Sequence, residues 1–226
     1  MSMNTAVPSF KKAVSSVDDK TYTCSITVDC AVFGFQEGVL KLLLVKRAIE
    51  PYKNFWLLPG GAMKEGQSLD DAMDAVLYQL TGMSNIHKEQ VKCYGDIDRP
   101  PVRRVVTLCF YALVKPEEHP VIPSSYVSEA KWVSLDEIPA LGFDHDALVK
   151  DAHDLLKRNL EEKLLFGELL PGRFTLKELQ DLYEAILGIS LDRRNFRKKM
   201  LQTNLLIHTG EKKPGARGGP ELYQLK

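Results

Sequence analysis

Residues 57 to 83 read Leu-Leu-Pro-Gly-Gly-Ala-Met-Lys-Glu-Gly-Gln-Ser-Leu-Asp-Asp-Ala-Met-Asp-Ala-Val-Leu-Tyr-Gln-Leu-Thr-Gly-Met. Ser68 followed by Asp71 has the spacing of a helix N-cap with acids in the first turn, where they complement the helix dipole. Leu69, Ala72, Met73, Val76, Leu77 and Leu80 then recur at three- and four-residue spacing, the apolar stripe of a helix lying on a sheet. Gly82 closes the element.

The same stretch resembles the Nudix box, the pyrophosphate-hydrolysing motif of a glycine, five residues, a glutamate, seven residues, then Arg-Glu-apolar-x-Glu-Glu-x-Gly-apolar. Anchored on Gly61 and Gly82 it fits without a gap, and the carboxylates are missing. Gln67 stands at the first Glu, Ala75 and Val76 at the Arg-Glu pair, Gln79 and Leu80 at the closing Glu pair, and Met83 at the last apolar position. Magnesium is a hard cation held by carboxylates and phosphate oxygens. Val76 and Leu80 offer no oxygen, the two glutamines offer no charge, and no base remains to activate water. Neither a catalytic residue nor a metal ligand is therefore expected in the box. The surviving acids Glu65, Asp70, Asp71 and Asp74 could recruit a metal from neighbouring positions, but they also suit the first turns of a capped helix. A frame that keeps loop, helix and glycine is expected to bind a nucleotide-like molecule rather than cut it.

Working outward, Thr23 to Phe35, Val39 to Lys46 and Val105 to Val114 are rich in Val, Leu, Ile, Thr and aromatics and predict strands, the first two joined by a turn at Gln36-Glu37-Gly38. Lys131 to Val133 is a short fourth. A helix is predicted from Asp144 to Lys163, its inner face Ala147, Leu148, Ala152, Leu155, Leu156 and Leu160. Strands surrounding a box helix imply an α+β chain, here the α/β/α Nudix sandwich with a mixed sheet. Residues 1–20 are polar and expected to be flexible, 21–165 form the Nudix-like domain, and Phe166 to Gly172 breaks the pattern and marks a boundary.

In the tail, residues 171–226, Thr175 and Glu178 have capping-box spacing, and Leu179, Leu182, Tyr183, Ile186 and Leu187 give the buried face of a helix ended by Gly188. A second helix follows in which Phe196 and Met200 point inward, with Arg193, Arg194, Arg197, Lys198 and Lys199 around the rest. Leu205 to His208 and Leu222 to Leu225 bracket a basic tip that carries Lys212, Lys213 and Arg217. Helix, turn, basic helix and hairpin make a winged helix-turn-helix. Side chains near the start of such a second helix reach base edges in the major groove. Arg193, Arg194 and Asn195 occupy that end; Arg197, Lys198, Lys199, Lys212, Lys213 and Arg217 would serve phosphates, and Thr175 joins this set at the start of the first helix.

Over the 226 residues the formal net charge is zero, yet residues 171–226 hold 11 Lys and Arg against 6 Asp and Glu, and residues 1–170 hold 19 against 24. A basic tail on an acidic body implies an anionic partner for the tail. Cys24, Cys30, Cys93 and Cys109 lack C-x-x-C spacing and read as small buried residues rather than zinc ligands or a disulfide framework. No charged leader or long apolar run is present, so a soluble, cytoplasmic protein without a membrane partner is expected.

Taken together, the degenerate box and this tail resemble the Nudix-related transcriptional regulators, from about Tyr22 to Leu225. The most specific parts are Phe174 to Gly188 with Asp192 to Lys199, then Phe143-Asp144-His145 and Gly95-Asp96-Ile97-Asp98-Arg99. The resemblance implies a homodimer gripping a palindromic operator in double-stranded DNA, a repressor of NAD biosynthesis or salvage genes, and a small-molecule effector, ADP-ribose or a related nucleotide, with no cofactor. A sister branch answers to sugars such as arabinose; an ADP-ribose pyrophosphatase and an RNA-processing factor are the other readings. A diphosphate effector requires cations near the box loop. Lys46, Arg47, Arg99, Arg103 and Arg104 are the candidates, with Gly60 and Gly61 in the loop and Trp56 as a stacking surface; for each cation a surface salt bridge is the competing role. Phe143, Asp144 and His145 are expected to close an interface rather than do chemistry.

Overall fold

Residues 24–82, 84, 86–99, 104–118, 126–162, 166–214 and 218–226 are described by a computed structural model. Alternation along two strands sets the architecture. In β1 (Ser25–Gln36) and its parallel neighbour β6 (Val105–Val114), Ala31, Phe33, Cys109, Tyr111 and Leu113 face one side of the sheet, while Val28, Cys30, Val32, Phe110, Ala112 and Val114 face the other. Successive side chains on a strand point to opposite faces, so both strands must be covered twice. Helix α1 (Leu69–Thr81) covers the second side with Ala72, Met73 and Leu77, and α2 (His145–Glu162) covers the first with Leu148, Val149, Ala152, Leu156 and Leu160.

The sheet is mixed. Strand β2 (Val39–Arg47) pairs antiparallel with β1 only over Val39–Leu42, after which the two splay apart. Into that opening go β3 (Trp56–Leu57), paired with the far end of β2, and β4 (Gly60–Ala62), paired with the start of β1. The box loop is thus part of the sheet itself. Strands β5 (His87–Tyr94) and β7 (Val127–Ser134) complete seven, pairing β6 and β2.

The C-terminal part comprises α3 (Phe166–Leu169), β8 (Phe174–Thr175), α4 (Leu176–Leu187), α5 (Arg193–Gln202) and a wing of β9 (Leu206–Lys212) and β10 (Glu221–Leu225), the last pairing both β8 and β9. Helix α4 lies against α2 and β2, and its Leu179, Leu182 and Ile186 belong to the same apolar cluster as Phe33, Leu42 and Leu156. The two parts share one continuous core.

Several expectations need correction. Strand β5 was not foreseen, because its His-Lys-Glu-Gln-Val-Lys-Cys-Tyr sequence is polar, as suits an edge. Ala147 is exposed and Leu155 half-buried: the inner face of α2 starts at His145 and runs through Leu148 and Val149. Lys163 lies outside the described residues. Cys30 and Cys109 are buried, but Cys24 and Cys93 are exposed; all four are free thiols. Phe166 to Gly172 is no open linker, since Phe166, Leu169 and Leu170 are buried and the Phe166 ring meets Phe174 edge-on at 5.9 Å. Thr209 to Lys212 belong to strand β9, so the basic tip is shorter than predicted. Residues 1–23, together with Met83, Arg103 and Arg217, lie outside the described residues.

Candidate ligand cleft and nucleic-acid interface

The box helix forms as its sequence demands. Ser68 accepts the Asp71 N–H at 3.1 Å, and Asp71 accepts the Ser68 N–H and hydroxyl in return; these bonds hold the Asp71 carboxyl below its ordinary pKa. Gly82 adopts a left-handed φ of 69° and donates to the Tyr78 carbonyl at 2.7 Å. At the positions where a magnesium-binding box carries carboxylates, Leu80 is 5% exposed among Val45 and Leu57, Val76 packs at the same cluster's edge, Gln67 is turned to the Lys64 N–H, and Gln79 points to solvent. Asp74 accepts from Lys88 at 2.7 Å and Asp71 is spent on the cap. This donor set does not fit a divalent metal, and among the described residues no three His, Cys, Asp or Glu side chains gather to hold one.

Close packing fixes the loop before the helix. A Cβ at Gly60 would sit 2.0 Å from Asp29 Oδ1 and 2.9 Å from the Val28 carbonyl, so only glycine fits. The Leu58 N–H donates to His145 Nδ1 at 2.9 Å, which leaves the proton of a neutral imidazole on Nε2, 3.8 Å from Asp29 Oδ1. Burial lowers the His145 pKa, against the pull of Asp29 and Asp144. The second oxygen of Asp29 accepts from Thr107 at 2.6 Å. Asp29 and Thr107 were not singled out in the sequence, although a lone carboxylate inside an apolar strand was a usable signal. Phe143, in a left-handed conformation at φ 57°, sets its ring against Tyr52, tilted by 48° with centroids 4.3 Å apart. The same segment carries Asp144, bonded to Arg99, and His145, bonded to the Leu58 N–H.

Most of the predicted cations turn to internal partners. The Arg99 side chain is 7% exposed and grips Asp144 through two bonds, of 2.5 and 2.7 Å. Arg104 donates to the carbonyls of Gly95 and Asp96. Both brace the 95–99 loop, and the open cavity of about 630 Å³ that Arg99 helps to line is rimmed by Asp96, Asp98 and Asp144, a more acidic setting than the sequence suggested. Arg47 is held by the carbonyls of Ile49 and Glu50, at 3.0 and 3.4 Å. Trp56 is not an open stacking face: Lys131 sits 4.3 Å and Lys46 5.6 Å from its ring, and Lys46 also reaches Glu129. Lys131, missed in the sequence, shares the Trp56 ring with Lys46, and Arg47 follows on the same strand as Lys46.

The tail brings its predicted residues together. Asp192 caps α5 by accepting the Asn195 N–H at 2.8 Å, and Phe196 and Met200 anchor the helix, the Phe196 ring edge-on to Tyr183 at 5.3 Å. Residues four apart share a helix face, so the exposed side divides into three rows: Arg193 with Arg197, Arg194 with Lys198, and Asn195 with Lys199. The first row meets Lys212 of the wing and Lys177 and Gln180 of α4 around a cavity of about 350 Å³ that also holds Glu221. Lys177 and Gln180 gave no signal in the sequence. Arg197 lies 3.7 Å from Glu221, and Lys213 bonds Glu178 at 2.5 Å. Thr175 is 4% exposed and its hydroxyl serves the capping box with Glu178, fixing α4, while the residue also lines the cavity beside Arg193 and Lys212.

Fold and site together define a Nudix-type body fused to a winged helix with a basic reading face, the architecture of a transcriptional regulator. Residues 25–152 match the NUDIX domain family model, and residues 166–225 match that of the NrtR DNA-binding winged helix domain, which takes α3 into the winged part. The ADPR responsive transcriptional repressor NtrR of Acinetobacter baylyi is 32% identical over 205 residues, 88% of this chain and 81% of that protein. The crystal structure of Shewanella oneidensis NrtR complexed with a 27mer DNA aligns with a TM-score of 0.76 at 32% identity, covering 89% of this chain and 93% of that one. The NUDIX domain of the same protein, complexed with ADP ribose, aligns with a TM-score of 0.56 at 29% identity over 66% of this chain and 99% of that one. An ADP-ribose pyrophosphatase of Methanocaldococcus jannaschii is 30% identical over 62% of this chain and 82% of its own. This chain belongs to the NrtR family of Nudix-related transcriptional regulators.

Proposed function

We propose that this protein is a DNA-binding repressor of NAD biosynthesis or salvage genes, controlled by ADP-ribose or a related nucleotide bound in its Nudix domain without turnover. The observation that carries the reading is the exposed face of α5: Arg193, Arg194 and Asn195 stand at its start, with Arg197 and Lys212 converging beside them. Arginine pairs bidentately with guanine and asparagine with adenine, so the helix start reads bases. The wing and the later basic residues hold phosphates and orient the domain. Two such domains in a homodimer would grip a palindromic operator with half-sites about 34 to 36 Å apart, one helical turn, or a multiple of it.

Absence of turnover is supported by the apolar setting of Val76 and Leu80. An effector diphosphate would be met by Lys46, Arg47 and Lys131, which would exchange their present contacts with Glu129, the Ile49 and Glu50 carbonyls and the Trp56 ring for the ligand. The test is to select binding sites from a random DNA pool and challenge the complex with ADP-ribose or L-arabinose. Palindromic sites released by ADP-ribose and unaffected by arabinose are expected. Failure to enrich any sequence would overturn the DNA-reading role, and release by arabinose alone would overturn the effector.

A further inference from the structure

Helix α2 touches both functional regions. At its start, Asp144 is gripped by buried Arg99, and His145 holds the Leu58 N–H of the box loop. Eight residues later, about 12 Å along the axis at 1.5 Å per residue, His153 donates from Nε2 to the Ile186 carbonyl at 2.8 Å. A carbonyl can only accept, so the ring proton is on that nitrogen. Ile186 lies in the last turn of α4, where carbonyls have no partner within their own helix. Gly188 satisfies the Glu184 carbonyl, and a histidine from the other domain satisfies that of Ile186.

The end of α4 is in turn fastened to the start of the reading helix. The Leu191 N–H donates to Glu184 at 2.7 Å, and Gln180 bridges Glu184 and the Leu191 carbonyl at 2.9 Å each. Leu191 immediately precedes Asp192, the cap of α5. A displacement of the α4 C-terminus therefore carries the 188–192 turn and Arg193 with it. The other side of the His153 ring faces Phe33 of β1, 6.1 Å between centroids. The ring is half-buried and held from both domains.

We propose that His153 is the positioning residue through which effector occupancy at the box loop reaches the reading helix. The inference rests on the proposed ADP-ribose control of DNA binding. A ligand that moves the Leu58 loop pulls on the first turn of α2 through His145, and the helix delivers that shift to the Ile186 carbonyl. Coupling between two sites is a reciprocal free energy, typically 5- to 150-fold in affinity (about 1–3 kcal/mol). It can be measured as the ratio of ADP-ribose dissociation constants for DNA-bound and free protein. The protein is titrated with ADP-ribose, alone and saturated with its selected DNA, as wild type, H153L and H153Q.

Wild type is expected to give a ratio of at least about fivefold. His153→Leu keeps the volume against Phe33 and removes the donor. Its ratio should fall to near one while ADP-ribose binding to the free protein, and DNA binding without ligand, each stay within about twofold, because neither site is touched. His153→Gln, which offers an amide N–H, should restore most of the wild-type ratio. Should H153L fail to fold, H153F, which keeps a ring beside Phe33, carries the same test. A wild-type ratio preserved in the folded donor-less variant overturns the role of His153 alone. A wild-type ratio of one overturns the proposed control and the inference together.

Discussion

Helices α1 and α4 open on the same hydrogen-bonded cap, Ser68 with Asp71 in one and Thr175 with Glu178 in the other, and both close on a left-handed glycine, Gly82 and Gly188. Each lays a stripe of Leu, Met or Ile on the common sheet or its neighbours. The difference lies in what those frames carry. The outward and carboxylate positions of α1 hold Ala75, Val76, Gln79 and Leu80, two of them drawn into apolar packing. The helix that α4 supports, α5, keeps every residue not needed for anchoring charged or polar and exposed through its first two turns. Folding grammar is therefore independent of chemistry: one element has kept its frame and lost the ligands for a metal, while the other spends its frame on presenting cations.

Putting a box carboxylate back at Leu80 is the harshest test of that contrast. Leu80→Glu places an uncompensated charge among Val45, Leu57 and Val76, and should cost about 3–5 kcal/mol in denaturant unfolding without creating magnesium-dependent hydrolysis. A fully stable variant would mean that the site has stayed open to ligands. On the other side of the comparison, Arg193→Ala or Arg194→Ala should weaken binding to the selected operator by about 1–3 kcal/mol and flatten sequence preference, whereas Lys212→Ala should weaken all DNA evenly and lower the salt slope by about one. Uniform losses from all three changes would show that α5 is not the reading element.

Next in size is the cap. Thr175→Ala should lower stability by about 1 kcal/mol, since a capping hydroxyl is lost from a buried helix start, and leave the salt slope of DNA binding unchanged. A changed slope would place Thr175 in the phosphate-contacting set despite its burial. The smallest effect is one of pH. Burial alone would raise the Glu178 pKa, but Lys213 and the Thr175 bonds overcome it and hold the carboxyl below its ordinary 4.5. Stability from this group is therefore complete above about 4.5 and lost as pH falls through the folded value. Glu178→Gln should flatten the fall in unfolding midpoint below about pH 4.5 relative to wild type; an identical acid limb would remove the Lys213 and cap bonds as its source.

What the sequence made legible follows the same physics. The caps, closing glycines and apolar stripes of α1 and α4 are local patterns, and so is the opposition of Phe196 and Met200 to the cations of α5. Strand β5 escaped notice because an edge strand need not alternate, and the exposed strand Thr209 to Lys212 was hidden by its wing composition. The ligand cleft was the least legible part. An arginine has the same sequence signature whether it is free to meet a phosphate or is taken up by an aspartate, as Arg99 is, or by backbone carbonyls, as Arg47 and Arg104 are. His145 accepts from the Leu58 N–H, 87 positions away, a pairing that no local pattern encodes.

The central claim, control without turnover, is tested most directly by titrating ADP-ribose with millimolar magnesium into protein bound to its selected DNA, while following DNA release and recovering the nucleotide. DNA should dissociate as the ligand saturates, and the ADP-ribose should be recovered intact. Accumulation of AMP, or DNA that stays bound at saturating ADP-ribose, would contradict the account.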